Sequence, residues 1–498
     1  MRLWNSRPSG VWSALGAVVI LAAAYGATAA PGVTWADDGA DGGDLVAAVV
    51  SGGVPHPSGY PTYLLFGRLF LIWPAGEPAQ WMVLLSAASM GLAAGILAAL
   101  ATSGWEEGRW KTLVGLTAGL AFGLAPLPWS QAVIAEVHGL NAFFAALTIV
   151  LIAELSVPRR AGWGEGAVAL AAGLGLGNHL ILLLMGPPLA AALALRWRSG
   201  ERRRAAVAAT AFASGLIVYG LLPLLALHHP PVNWGDASTW DGFWWLVSGG
   251  PYRGMVLGLP PAEVPQRVGA WARLLLDQFG IVGLGLIGVG LAGGRSRWPW
   301  VDRTALWMIA AYSVFAVEYN AADSSVYLIP AWMGLAWWLA LGFGTLLSWA
   351  QVHHRALPVA MVGAVVILAA GRLPAIIRQV DAWHDLRAIA YAERVLTEAP
   401  TGALVLTTTD QDSFPLWYAQ FALGRRRDLR LVVVPLAQFD WYRRSLKWTY
   451  PDLDLPPPEV DDVWAWEADL LRRNPRPVCR TQVVGEGAGL DVNLSCGL

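Results

Sequence analysis

Apolar runs of about 20 residues, the length needed to cross a bilayer core, alternate with short polar loops through the first three quarters of the chain. This pattern predicts eleven spans, at 11–30, 81–102, 112–128, 139–157, 163–178, 180–196, 205–227, 270–293, 303–319, 325–349 and 356–373. The fifth and sixth are short. A further apolar piece, 62–74, is flanked by Pro61 and Pro74 and is too short to span; it reads as an interfacial or re-entrant helix. The first run follows Arg2 and Arg7 and ends in Ala-Thr-Ala-Ala at 27–30, which imitates a signal-peptide cleavage site. Its length and the polytopic remainder favour a retained helix.

From about residue 374 the pattern changes. Residues 376–398 read as an amphipathic helix, and 403–409 (ALVLTTT) and 429–435 (LRLVVVP) as buried strands. Helices are expected at 413–423 and 438–448, a β-α-β-α order that predicts a small α/β domain. The division is thus a membrane domain, 1–373, with its first outer loop at 31–80, followed by an α/β domain, 374–498.

Basic residues set the orientation. Counting loops alternately from Arg2 and Arg7, the same side receives Arg109 and Lys111, then Arg159 and Arg160. It next receives Arg196, Arg198, Arg202, Arg203 and Arg204, then Arg295, Arg297 and Arg303, and lastly Arg355. The opposite loops hold Asp37, Asp38, Asp41, Asp44, Glu136, Asp236, Asp241 and Asp323. The N-terminus is predicted inside, and the α/β domain outside the cytoplasm.

Composition agrees. The 498 residues carry 34 Lys and Arg and 35 Asp and Glu, or 14% charged, against about 25% in soluble proteins. Hydrophobic residues make up 56%, and the mean hydropathy is +0.48. A disordered chain is excluded and a cytosolic enzyme strongly disfavoured. A net charge of −1 leaves no global nucleic-acid-binding character. The two cysteines, Cys479 and Cys496, cannot build a metal centre and leave one disulfide open. The 28 Trp suit interfacial anchoring as well as sugar stacking.

The scarce polar groups gather on the outer side. Asp37, Asp38, Asp41 and Asp44 crowd the start of an apolar helix at 45–51. They read as an N-cap with solvated acids, as a general base at the membrane surface, or as a divalent-metal site. The proline-locked turn VPHPSGYPTY (54–63) follows and fixes His56 and Tyr60. Glu136 and His138 lie in WSQAVIAEVHGLNAFF, and Asn178 and His179 in GLGLGNHLILLL. The loop 228–254 offers Asn233, Asp236, Arg253 and a cluster of Trp; Asp323 and Tyr327 lie in EYNAADSSVYLIP. Ionisable groups at membrane depth are costly and mark functional candidates. Walker A, HExxH and GxSxG sequences are absent.

These blocks resemble the protein O-mannosyltransferase-like membrane family, glycosyltransferases of the GT-C type. Asp41-Gly42-Gly43-Asp44 stands where that family has an acidic DxGE-like segment, and 56–63 (HPSGYPTY) where it has HPPGYPLY. WSQAVIAEVHGLN (129–141), GLGLGNHL (173–180), PPVNWGD (230–236), Asp323 to Pro330 and LVLTTTDQDSFPLWYAQ (404–420) also match, so the similarity covers nearly the whole chain. Asp44 replaces the commoner Glu, Ser58 the second Pro, and His138 a common Tyr.

The resemblance implies a GT-C fold and inverting transfer of a sugar, mannose by family, from a polyprenyl-phosphate donor to an acceptor hydroxyl on a protein or glycan. It makes Asp41 the base, with Asp44 less secure. Arg68, Arg253, His56 and His179 are candidates for the donor phosphate. Asp410 and Asp412 either face a ligand or cap a helix. Mg²⁺ or Mn²⁺ at the acids stays open, since some GT-C enzymes work without metal. The competing class is a transporter or flippase of lipid-linked sugars, which would instead place charges near the bilayer midplane.

Overall fold

The computed structural model describes residues 8–72, 76–105, 108–157, 163–294, 296–460 and 462–497. Arg2, Arg7, Pro74, Arg159, Arg160 and Arg295, used above, lie outside the described residues. The N-terminal part is built of α1 (Pro8–Thr28), α2 (Gly42–Ser51), α3 (Pro61–Phe70), α4 (Pro78–Gly104), α5 (Lys111–Gly123), α6 (Pro126–Ala132) and α7 (His138–Leu155). It continues through α8 (Trp163–Leu176), α9 (Gly186–Arg198), α10 (Arg202–Gly215), α11 (Leu221–Ala226) and α12 (Trp240–Val247). Long helices α13 (Val264–Gly293), α14 (Pro299–Glu318), α15 (Ile329–His353) and α16 (Leu357–Val380) complete it. Proline stands at the first or second position of many of these, where its fixed φ suits the helix and its missing N–H costs nothing.

Among the described residues, eight helices are long and apolar enough to cross a membrane, or nine if the bent pair α5 and α6 is one span. Eleven were expected. The two that fall away are 163–178 and 303–319. Helix α8 has 14 residues, about 21 Å at 1.5 Å per residue, short of a core of about 30 Å. Helix α14 is 20 residues long, but Asp302, Arg303 and Glu318 lower its hydropathy. The piece at 62–74 forms the ten-residue α3.

The tail holds α17 (Arg387–Glu398), β1 (Leu404–Thr407), α18 (Asp410–Trp417), β2 (Arg430–Val433), α19 (Asp440–Thr449), α20 (Val463–Arg473), β3 (Val478–Val484) and β4 (Asp491–Gly497). The sheet order is β2-β1-β3-β4. Strand β1 runs parallel to β2 and β3, and β4 runs antiparallel to β3. Cys479 and Cys496 face each other across β3 and β4 and form a disulfide. The single helix expected at 376–398 is broken. Asp381 accepts from Trp383 N–H at 3.1 Å and contacts His384 Nδ1 at 2.7 Å, and Asp385 binds Arg387. These local bonds compete with the helix ladder.

Polar contacts seat the tail on the 31–80 loop and its surroundings. Thr34 Oγ1 donates to Asp385 at 2.8 Å, Trp35 Nε1 to the Gln411 carbonyl at 3.1 Å, and Tyr418 Oη to Glu77 at 2.7 Å. Arg444 meets Asp236 at 3.3 Å. A close approach occurs at Gly43 of α2: a Cβ there would stand 2.4 Å from the Phe414 carbonyl oxygen of α18. Only glycine lets the two helices touch. Gly43→Val therefore forces them apart, and overpacking of this kind costs about 1–3 kcal/mol. The expected result is a lowered thermal midpoint of the detergent-purified protein and faster proteolysis within the tail; wild-type behaviour in both would contradict the contact.

Candidate active site

Helix α2 begins directly after Asp41, so Asp41 and Asp44 lie one turn apart at its start. The structure gives them different surroundings. Asp44 is fully buried. Its carboxylate accepts from His56 N–H at 2.9 Å, His56 Nδ1 at 2.7 Å and Trp234 Nε1 at 3.1 Å. Asp41 is 39% exposed, and its Oδ2 lies 3.4 Å from His56 Nε2. His56 is thus held between two carboxylates, its inner edge on Asp44 and its outer edge on Asp41.

The turn that holds His56 depends on the prolines and on Gly59. Gly59 N–H donates back to His56 O at 2.9 Å. Its φ of +82° is left-handed, and a Cβ there would stand 2.9 Å from Leu246. Tyr60 Oη donates to Pro57 O and lies 3.1 Å from His56 Nε2. Burial alone would lower the His56 pKa, but the facing carboxylates of Asp41 and Asp44 outweigh it and raise it to about 10. The Asp41 pKa is raised above the ordinary carboxylate value, first by burial and then by the neighbouring acids, with His56 opposing.

Asp41, His56 and Tyr60 open onto a cavity of about 1130 Å³. Asp38, Asp323, Asp410, Tyr252 and Arg253 add polar groups to its wall. Leu183 and Leu184 and the α14 residues Trp307, Ala310, Val314 and Phe315 give it an apolar side. His179 and Tyr327 also line it, and their rings pack with His138 and Tyr60 at centroid distances of 5.6–6.2 Å. His179 Nδ1 is committed to the N–H of Ile181 at 3.1 Å.

Other predicted residues stand behind this wall. Glu136 is buried, accepts from Val137 N–H, and has a pKa pushed well above the ordinary value by burial and then by Asp41. Asn178 is buried and donates to Val137 O at 3.1 Å. Asn233 sits on a short backbone bridge with Val54, its buried side-chain amide without a hydrogen-bond partner among the described residues. Asp236 is spent on Ser238 and Arg444, so it anchors the tail. Arg68 lies on α3 beside Gly52 and does not line the cavity. Arg253 does. The sequence gives no sign of Tyr252 in the cavity wall or of the Trp234 bond to Asp44; Trp234 lies inside PPVNWGD, where Trp suits interfacial anchoring and sugar stacking alike.

Among the described residues, no three His, Cys, Asp or Glu side chains are grouped closely enough to hold one metal ion.

The fold is that of a polytopic GT-C-like protein. It is similar to ArnT from Cupriavidus metallidurans bound to undecaprenyl phosphate, with a TM-score of 0.58 at 13% identity over 97% of each chain. The apo state of the same protein gives 0.57, again at 13% identity and 97% of each chain. The family pattern described as the protein O-mannosyl-transferase TMEM260 N-terminal domain matches residues 41–202, and TMEM260-associated domain 2 matches 388–454. Protein O-mannosyl-transferase TMEM260 of Mus musculus is 25% identical over 455 residues, covering 84% of this chain and 62% of the relative. The Dictyostelium discoideum protein O-mannosyl-transferase tmem260 is 28% identical over 293 residues, 54% of this chain and 34% of the relative. The chain spans less than two thirds of the length of either relative. Over these segments the chain is similar to the protein O-mannosyl-transferase TMEM260 proteins.

Asp44→Asn removes one of the two charges that hold the proton on His56. The His56 pKa is expected to fall from about 10 by about one unit or more, as read by NMR titration of labelled histidine. An unmoved pKa would dispose of the coupling.

Proposed function

We propose that this chain is an inverting glycosyltransferase that moves a sugar, mannose by its relatives' names, from a polyprenyl-phosphate donor to an acceptor hydroxyl at the outer face of the membrane. The observation that carries this reading is the Asp41 carboxylate, open to a cavity with one polar and one apolar side and backed by a charged His56. A lipid-linked donor has that same division: an isoprenoid chain for the apolar wall and a phosphate for a cationic partner. The undecaprenyl phosphate bound by ArnT, and the O-mannosyl-transferase names of the relatives, support it.

In this mechanism the acceptor O–H gives its proton to Asp41. The oxygen forms a bond to the anomeric carbon as the carbon–oxygen bond to phosphate breaks. The phosphate leaves with the electron pair, inverting the centre, and Arg253 with the His56 imidazolium balances its charge. An upward-shifted Asp41 is a stronger base than an ordinary carboxylate. Asp44 positions His56. Residues 1–373 form the membrane catalytic domain and 374–498 the extracytoplasmic domain. The basic residues at 109–111 and 355 on the inner side and the Cys479–Cys496 disulfide, suited to an oxidising compartment, support that orientation.

Asp41→Asn is expected to fold and insert normally and to lose sugar transfer from a polyprenyl-phosphate donor by at least about 100-fold. Retained transfer would remove Asp41 from the role of base. The pH profile follows from the same pair. A base is inactive when protonated, so activity rises with pH through an acid limb set above the ordinary carboxylate value, and holds until His56 loses its proton near pH 10. An acid limb at the ordinary value, or loss of activity near neutrality, would contradict the pairing.

A further inference from the structure

The tail supplies part of the cavity wall. Asp410, Gln411 and Phe414 of α18 line it together with Asp41 of the first loop. The two acids at the start of α18 are used differently. Asp412 is fully buried and is consumed by the turn. It accepts from Thr409 N–H at 2.8 Å and from Thr481 Oγ1 at 2.7 Å, and it forms a capping box with Thr409. The Asp410 carboxylate has no hydrogen-bond partner among the described residues, and its side chain is exposed where the cavity lies. Its pKa is raised to about 7, first by desolvation from the protein atoms around the cavity and then by Asp41, so the two carboxylates sense one another across the same space.

The placement of Asp410 is enforced. Its helix abuts α2 at Gly43, where the Phe414 backbone comes close, Gln411 O is held by Trp35 Nε1 at 3.1 Å, and Asp412 O by Tyr391 Oη at 2.8 Å. The apolar wall, by contrast, comes from α14 and from Leu183 and Leu184 of the apolar span at 180–198. A donor with a lipid chain is matched by that wall, and the polar edge contributed by the charged tail faces what arrives from water.

We propose that Asp410 is an acceptor-binding residue. Its carboxylate takes a hydrogen bond from an N–H or O–H that neighbours the reacting hydroxyl, and so holds that hydroxyl against Asp41. The inference rests on the transferase reading above and adds to it the tail as part of the reaction centre.

The test uses the full chain in lipid nanodiscs with a short-chain polyprenyl-phosphate mannose as donor and a threonine-containing peptide as acceptor. Asp410→Asn is expected to raise the acceptor KM about tenfold or more, with kcat and the donor KM each changed less than about threefold. Asp410→Glu, which keeps the charge, is expected to recover part of the acceptor KM. Asp412→Asn, by contrast, is expected to lower the thermal midpoint through loss of the cap. An unchanged acceptor KM in Asp410→Asn overturns the proposal, as does a fall in kcat alone. Failure of the wild-type chain to consume the donor at all overturns the transferase reading instead, a result distinct from either.

Discussion

The contact on which the rest of the site depends is the 2.7 Å bond between Asp44 and His56. A carboxylate buried without partners would be driven to its neutral form. Here three N–H groups satisfy it, two from His56 and one from Trp234. The first pair ties the start of α2 to the proline-locked turn, and the third ties both to the loop that precedes α12. A single buried charge thus organises three segments far apart in sequence. Its second effect is electrostatic: it helps keep the imidazole protonated, which gives Asp41 a cationic neighbour at 3.4 Å.

The low dielectric that makes such groups costly also makes them effective. A charged His56 between two carboxylates is sustained because the opposing charges are close and water is scarce. The same economy explains the wall behind it. Glu136 and Asn178 turn to the backbone of Val137, and Asp236 turns to Ser238 and Arg444. They hold the frame, and Asp38, Asp41, Asp323 and Asp410 are left facing the cavity.

Much of the architecture was legible in the sequence because long apolar runs have few alternatives to a membrane helix. The two runs that fail do so for visible reasons, shortness in α8 and three charges in α14. Strands β1 and β2 were legible as continuous apolar runs, whereas β3 and β4 alternate exposed and buried positions along a hairpin and carry no such run. The break at 381–386 depends on Asp381 and Asp385 finding local partners, which composition does not show. At the site, the spacing of Asp41 and Asp44 placed both on one helix start, yet their division of labour comes from burial, and burial comes from Trp234, a residue almost two hundred positions away. Arg68 and Arg253 looked equivalent as cations, and only the path of α3 separates them.

The backbone contact between Gly43 and Phe414 also orders events in time. Asp41 and His56 are translated early and Phe414 late, so a chain whose spans are already inserted still lacks one side of its cavity. Until the last quarter is synthesised and folded, the first loop has its acids but no surface to close against. The cavity is therefore complete only once the tail has docked, because Asp410, Gln411 and Phe414 form part of its wall.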